Sequence, residues 1–572
     1  MSERSETVGS PSSRSRTVQS ATLIAWTLLI ALVLVGLIRT AGSMALVDPD
    51  EGRNAEVARE MAESGDFIVP HLNGLPYLDK PIMLFNAAAL SIRALGPTEL
   101  AARLPTLMFT FATVALITAF GWRRFGRDTG MLAGLMLATS PLVLTYSGIV
   151  IFDALMMFWV SLAAIAFHLR LQGSGLGWVL TGWAAIGLAV LTKGPVGLLL
   201  PLLIGIGEAL AGRLPMRRLF HPAGIGVFVL LVLPWFLAVS LRHPEFPHYA
   251  FVRETFERVA TDSMRRTAPF YYFLPILLGG AFPWSLLLMV GAGRLAGFWR
   301  ERAGACREEA FLMLWILLPT LFFTLSQSKR PGYILPVIPA LVLLGARIVR
   351  DSPASIRHTV WIAAPIAAGL SGVLLLAADS IAARTDSLRV AEAVLAGAPL
   401  LGGGLAIAAC VALIGRRSHI VATAGLALIP ITLLLGGHTL LEAVGDQRSA
   451  RELSQAIEKA TPDGTRIVGI STFPPSLPFY LETDIVLSSV SGSELTSNYI
   501  RDYLDQLREQ PGTNLRARDW WMKELEHCPE PTVYMLRTFA NWEPLREMLQ
   551  ARLPLIYENH RYRVYGPCGT GA

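Results

Sequence analysis

Apolar runs of about 20 residues, the length a helix needs to cross a bilayer, recur through most of this chain. In hydrocarbon no water is present to satisfy backbone N–H and C=O groups, so such runs must be helical. Thirteen are expected, near 21–38, 104–121, 130–149, 153–169, 177–191, 195–211, 222–240, 270–292, 310–326, 333–348, 358–378, 392–415 and 419–442. Of the 572 residues, 53% are hydrophobic and only 16% charged, where a soluble domain has about a quarter charged. The fold class is therefore an all-α polytopic membrane protein.

The basic residues fix its orientation. Arg123-Arg124, Arg217-Arg218, Arg300 with Arg302, Arg347 with Arg350, and Arg416-Arg417 all fall in alternate loops. The positive-inside rule makes those loops cytoplasmic, along with Arg14 and Arg16 at the N-terminus. The basic balance thus reports topology, and nucleic acid is not expected as a partner. Residues 1–20, rich in Ser, Thr and Arg, read as a disordered cytoplasmic tail. Ala21–Ile38 reads as a retained first helix rather than a cleaved signal.

The opposite loops are 39–103, a short one ending at Asp153, Lys193-Gly194-Pro195, 241–269, and Ser326–Tyr333. Lys329 and Arg330 in the last of these run against the charge bias, which calls for an anionic partner such as a phosphate or carboxylate. After Leu441 the chain turns polar. Strand patterns at 466–470, 484–487, 532–536 and 561–565 alternate with helical patterns at 448–460, 493–509 and 541–552, so 443–572 is a small α/β domain on the outer side. Cys528 and Cys568 both fall in it, and a disulfide and two free thiols fit the sequence equally. Cys306 and Cys410 lie apart, with no metal-ligand spacing.

The first outer loop is the most charged stretch beside the membrane. Asp48, Pro49 and Glu51 have the spacing of a capping box with proline at the first helical position. Ala55, Ala58, Met61 and Ala62 form an apolar stripe and Ser64-Gly65 a stop, which predicts a short amphipathic helix on the membrane surface. Asp50 and Arg53 share one face of it. The cap explains Asp48 and Glu51; it leaves Tyr77-Leu78-Asp79-Lys80-Pro81 unexplained.

The run Asp50-Glu51-Gly52-Arg53-Asn54-Ala55-Glu56-Val57-Ala58-Arg59-Glu60-Met61, followed by Ser64–Gly74, resembles the first periplasmic loop of the lipid A aminoarabinose transferases. These belong to the GT-C glycosyltransferases, a group that includes the protein O-mannosyltransferases. Tyr77, Lys80-Pro81 and Lys329–Pro336 fit the same pattern. After Pro81 the chain reads Ile82-Met83-Leu84-Phe85-Asn86, where that family continues with a second proline and an aromatic pair. The resemblance implies a GT-C membrane domain over 21–442, with 39–103 as its first periplasmic loop, and a periplasmic domain over 443–572. It implies Asp50 and Asp153 as catalytic carboxylates. It places Arg53 and Lys80 at the phosphate of a polyprenyl-phosphate sugar donor, with Tyr77 and Tyr333 beside it. Lys329 and Arg330, from their outward charge, are candidates for the same phosphate, and Glu51, His71 and Lys193 are candidate contacts to the rest of the substrate, Lys193 reading equally as a snorkelling residue at a helix end.

Such chemistry suits these residue types. Sugar transfer expels a polyprenyl phosphate whose negative charge grows in the transition state, where Arg can grip in two places and Lys supplies a point charge. Asp50 would act as general base toward a hydroxyl acceptor, or as an orienting group toward an ionised phosphate. A lipid-linked donor requires no cofactor. His71, His243 and His248 with Asp79 form a weaker candidate metal set. The expected partners are membrane lipids, meaning the donor and lipid A or another envelope acceptor, and a monomer is expected. Galacturonic acid or a hexose, and a core saccharide, polysaccharide or protein hydroxyl, remain as alternative sugars and acceptors. A transporter of lipid-linked sugars is the reading from another class; it would show paired halves and midplane charges, and neither is evident.

Overall fold

A computed structural model describes residues 13–257, 268–302, 304, 307–385, 387–538 and 543–569. Much of the expected tail lies outside these. The first helix, α1 (Ser13–Ser43), begins within the stretch read as a tail and runs ahead of its apolar core.

Among the described residues ten helices are long and apolar enough to cross a membrane, and eleven if the bent pair Arg127–Ala138 and Pro141–Ser147 counts as one span. That is fewer than the thirteen expected, and the shortfall lies in two places. Val196–Ala211 is apolar but only 16 residues long, and the run near 270–292 is divided into Phe273–Gly280 and Ser285–Val290. A hydropathy window averages over such interruptions. Contacts at the helix ends still give the first of these segments a direction. Lys193 and Arg242, ending the helices before and after Val196–Ala211, both reach the end of the bundle that carries the first loop, through Asp153 and Asp66. The short helix between them must therefore lead back.

The first loop builds helix α2 (Asp50–Ser64), a two-residue hairpin of β1 (His71–Leu72) and β2 (Leu75–Pro76), and helix α3 (Met83–Leu95). Asn73 and Gly74 turn the hairpin at φ 57° and 74°, the left-handed values that Asn and Gly tolerate best. The expectation of a helix lying on the membrane surface is corrected. Most of α2 is buried, including Glu51, Asn54, Glu56 and Arg59, and it is clamped between the membrane bundle and the C-terminal domain. Its start also differs from the capping-box expectation. Pro49 precedes the helix and no side chain caps it. The Asp48 carboxylate accepts instead from the Ser476 N–H and Oγ, at 2.8 and 2.9 Å.

The C-terminal domain is a six-stranded mixed sheet. Its strands are β3 (Arg466–Ile470), β4 (Val486–Ser488), β5 (Leu515–Arg516), β6 (Thr532–Arg537), β7 (Leu555–Glu558) and β8 (Tyr562–Cys568), in the order β5-β4-β3-β6-β8-β7. The first four pair in parallel, and β8 pairs antiparallel with both β6 and β7. Cys528 and Cys568 are bonded as a disulfide. The expected long helix over 493–509 is instead three short turns, Ser493–Leu495, Asn498–Asp502 and Leu504–Arg508. These breaks bring backbone N–H groups to the first loop.

Candidate active site

Two charged groups form where the first loop, the bundle and the C-terminal domain meet. In the first, Asp50 opens α2. Its Oδ1 accepts from Arg53 Nη2 at 2.7 Å and its Oδ2 from Arg330 Nη1 at 3.1 Å. Burial opposes its ionisation more than any other single influence, but the two guanidiniums together outweigh it and hold the carboxyl below the ordinary aspartate value. Arg53 lies 5.6 Å from the Tyr77 ring centroid. It also donates to Thr496 Oγ1 at 2.6 Å and to the Thr496 carbonyl at 3.0 Å.

In the second group, Lys193 Nζ donates to Asp153 Oδ1 at 2.5 Å and sits 5.0 Å over the Tyr333 ring. Lys80 donates to the Asp79 carbonyl at 2.6 Å. Lys80, Asp153, Lys193 and Tyr333 line a cavity of about 820 Å³ whose remaining wall is almost wholly apolar, with Leu198, Leu202, Phe228, Val232, Phe236 and Phe322 among its residues.

The chain itself ties the two groups together. Tyr77 and Arg330 belong to the first group, and Lys80 and Tyr333 follow three residues later in the second. Gly332 permits this: a Cβ there would stand 2.5 Å from the Tyr146 ring and 2.8 Å from Asp153 Oδ1.

Several expected residues lie elsewhere. Glu51 is not placed to touch a substrate. Its oxygens are taken by Arg103 Nε and Nη2 at 2.7 and 3.0 Å, and by the N–H groups of Val47 and Val150. It is a buried clasp that fixes α2 to the helix Glu99–Phe125, so the expectation of substrate contact is corrected. His71 is on β1, where Asp66, His243 and Arg242 act on it, and it does not line the cavity. Lys329 donates to the Ser326 carbonyl and so closes its own loop. The candidate metal set built on Asp79 also fails to form. That carboxylate accepts from Tyr249 Oη at 2.5 Å and from the N–H groups of Asn498 and Tyr499 at 3.0 and 2.9 Å. Among the described residues, acidic oxygens converge within 4.8 Å at Glu56, Glu60 and Asp484, where Arg59 already pairs with Glu56.

Thr496, Arg103 and Gly332 were not among the expected site residues. Arg103 had a signal, being an arginine at the mouth of an apolar run. Thr496 had none, since it sits in an unremarkable Ser/Thr stretch 443 residues from Arg53.

Comparison with known proteins agrees with this architecture. Residues 79–239, which include Lys80, Asp153 and Lys193, match the family described as dolichyl-phosphate-mannose-protein mannosyltransferase. An undecaprenyl phosphate-alpha-4-amino-4-deoxy-L-arabinose arabinosyl transferase of Sodalis glossinidius is 32% identical over 84% of this chain and 86% of its own length. The chain belongs to that arabinosyl transferase family. A relative in the family from Serratia proteamaculans is 34% identical over 62% of this chain, and the match spans 64% of the Serratia protein. The crystal structure of ArnT from Cupriavidus metallidurans bound to undecaprenyl phosphate superposes with a TM-score of 0.79. It is 27% identical, and the match covers 95% of this chain and 98% of that one. Arabinosyl transferases of this kind and the present chain thus share one fold over nearly their whole length, a multi-pass GT-C bundle carrying a small sheet domain.

Proposed function

We propose that the chain transfers an aminoarabinose-type sugar from a polyprenyl-phosphate donor to a phosphate of lipid A, at the outer face of the inner membrane. The observation that carries this reading is the cavity: a long apolar wall ending in Lys80 and Lys193, beside the Asp50–Arg53–Arg330 group. An apolar slot with cations at its mouth suits a lipid tail with a phosphate head. The family relatives named as undecaprenyl-phosphate arabinosyl transferases, and the ArnT structure titled as bound to undecaprenyl phosphate, support the same donor.

In the reaction an acceptor oxygen attacks the anomeric carbon, the bond from that carbon to the polyprenyl phosphate oxygen breaks, and the phosphate leaves with the bonding electrons. Lys80 and Lys193 stabilise the charge gathering on it, with Arg330 beside them. Asp153 and Tyr333 hold Lys193 in place. Asp50 is ionised but, with its proton affinity lowered by two arginines, it is a poor base. A poor base beside the sugar favours an acceptor that needs no deprotonation, such as a phosphate monoester, and gives Asp50 an orienting role. The reading requires no cofactor, since the chain supplies the cations itself, and a monomer holds every residue of the site. It places the N-terminus in the cytoplasm and the sheet domain in the periplasm.

The test is transfer by the purified protein in detergent from polyprenyl-phosphate aminoarabinose to lipid A, read by mass spectrometry of the lipids. A mass gain of one sugar on lipid A is expected, and it is lost in Lys193→Gln. No gain with the aminoarabinose donor, alongside a gain with another lipid-linked sugar or acceptor, would overturn the substrate assignment.

A further inference from the structure

A second cleft, of about 480 Å³, opens where the last membrane helices hand over to the C-terminal domain. Arg448, Arg537, His560, Arg561 and Tyr562 line it, with Asp48 at its back. The three arginines come from separate segments: the end of the helix His438–Gln447, the end of β6, and the β7–β8 turn.

Among the described residues, no carboxylate lies within ion-pair distance of Arg448, Arg537 or Arg561, and the nearby charge that acts on one of them is that of Asp48, on Arg561. Other arginines of the same domain do find acids: Arg466 with Glu524, Arg508 with Asp505, Arg546 with Glu543, and Arg563 with Glu558. The one acid of the cleft, Asp48, is buried and already spends its oxygens on Ser476. Burial makes its ionised form costly and lifts its pKa to about 7 against the pull of Arg561, so one partly ionised acid faces three arginines. Arg561 is held in place over the Tyr562 ring, 5.2 Å from its centroid. Guanidinium forks converging in a concave site match the tetrahedral oxygens of a phosphate, each fork able to donate twice.

Position narrows the ligand further. Arg448 follows the ten-residue helix that leaves the last span, so the cleft belongs with the headgroups rather than the hydrocarbon. Asp48 also precedes Asp50 by two residues, so the back of this cleft adjoins the start of α2, where the active-site carboxylate stands.

We infer that this cleft is an anion site for a phosphate group, separate from the donor cavity, whose occupant is a phosphate on a lipid headgroup or free phosphate.

Inorganic phosphate is titrated by calorimetry into the full-length protein in detergent, with polyprenyl phosphate present to fill the donor cavity. The variants are the double Arg537→Gln/Arg561→Gln and the single Arg448→Gln; Arg448 and Arg537 are exposed, and unchanged melting checks the fold. The double variant is expected to bind phosphate at least about 10-fold more weakly, the size of a lost charge-assisted contact. Equal affinity in wild type and both variants would overturn the site, as would a wild type that takes up no phosphate. The two sources separate in acceptor kinetics. A raised KM for a diphosphorylated lipid acceptor with the donor KM unchanged assigns the headgroup, whereas unchanged kinetics with lost phosphate binding assign the free ion. The calorimetric arm does not depend on the transfer reaction, so failure of the proposed activity would leave it readable.

Discussion

Replacing Gly332 with alanine removes no functional group, yet it should disable the enzyme. The added Cβ would lie 2.5 Å from Tyr146 Cε1, 2.8 Å from its Cζ and 2.8 Å from Asp153 Oδ1. Carbon atoms rest about 3.5–4.0 Å apart, so the ring must retreat by about 1 Å and the carboxylate by somewhat less. Asp153 cannot move alone, because Lys193 is bound to it at 2.5 Å and lies over Tyr333. The loop that carries Arg330 and Tyr333 would shift as well, and with it the cation on Asp50. A displacement near 1 Å in a catalytic constellation costs about 100-fold in rate, or about 2.7 kcal/mol of transition-state stabilisation. The assay is kcat/KM for transfer from the lipid-linked donor. Gly148, whose added Cβ would meet nothing within 4 Å, is the control, and Gly148→Ala should leave the rate unchanged. A Gly332→Ala enzyme with wild-type kcat/KM would refute the claim that close backbone approach at this point positions Asp153 and Lys193.

Arg103→Met should destabilise the protein by about 3–5 kcal/mol, since it strands the buried Glu51 carboxylate; Glu51→Gln added to it should recover part of that loss, read by thermal melting. Arg330→Gln removes one of the two cations that hold down the Asp50 pKa, so the acid limb of the activity profile should move to higher pH, measured as kcat/KM against pH. Asp48 gives a stability effect of opposite sign to the usual carboxylate. Its folded pKa of about 7 exceeds its ordinary 3.8, so the folded protein holds a proton that the unfolded chain releases, and stability falls as pH rises through that window, then levels off. Asp48→Asn should remove this fall, and its melting advantage over wild type should grow from pH 4 to pH 7 toward a limit on the order of 4 kcal/mol.

The chemistry of the site was more legible in the sequence than its construction. Asp50, Arg53, Lys80, Asp153, Lys193, Arg330 and Tyr333 are charged or aromatic residues set at the ends of apolar runs, where a bilayer makes them conspicuous, and the fold gathers them. Glu51 was misread because a carboxylate serving Arg103 looks, in one dimension, like a carboxylate serving a substrate. The partner that decides the matter stands 52 residues away. The α2 helix was read as interfacial for a similar reason. An apolar stripe announces that something covers it, without saying whether lipid or protein does. Hydropathy also overstated the number of uninterrupted spans, since the division near Ala281–Trp284 leaves the average apolarity unchanged.

Thr496 donates nothing to chemistry, yet its bond to Arg53 spans 443 residues of chain. Asp79 reaches Asn498 and Tyr499 across a similar interval, and Asn73 exchanges two 2.7 Å bonds with the backbone of Ile485. The first loop emerges early in synthesis, but the segment that steadies its arginine emerges near the end. A nascent chain therefore holds Asp50 and Arg53 without the support that orients them, and the last-made domain acts as a timer on activity. A protein truncated between residues 447 and 496 would keep all its membrane helices and still lack the contact that steadies Arg53.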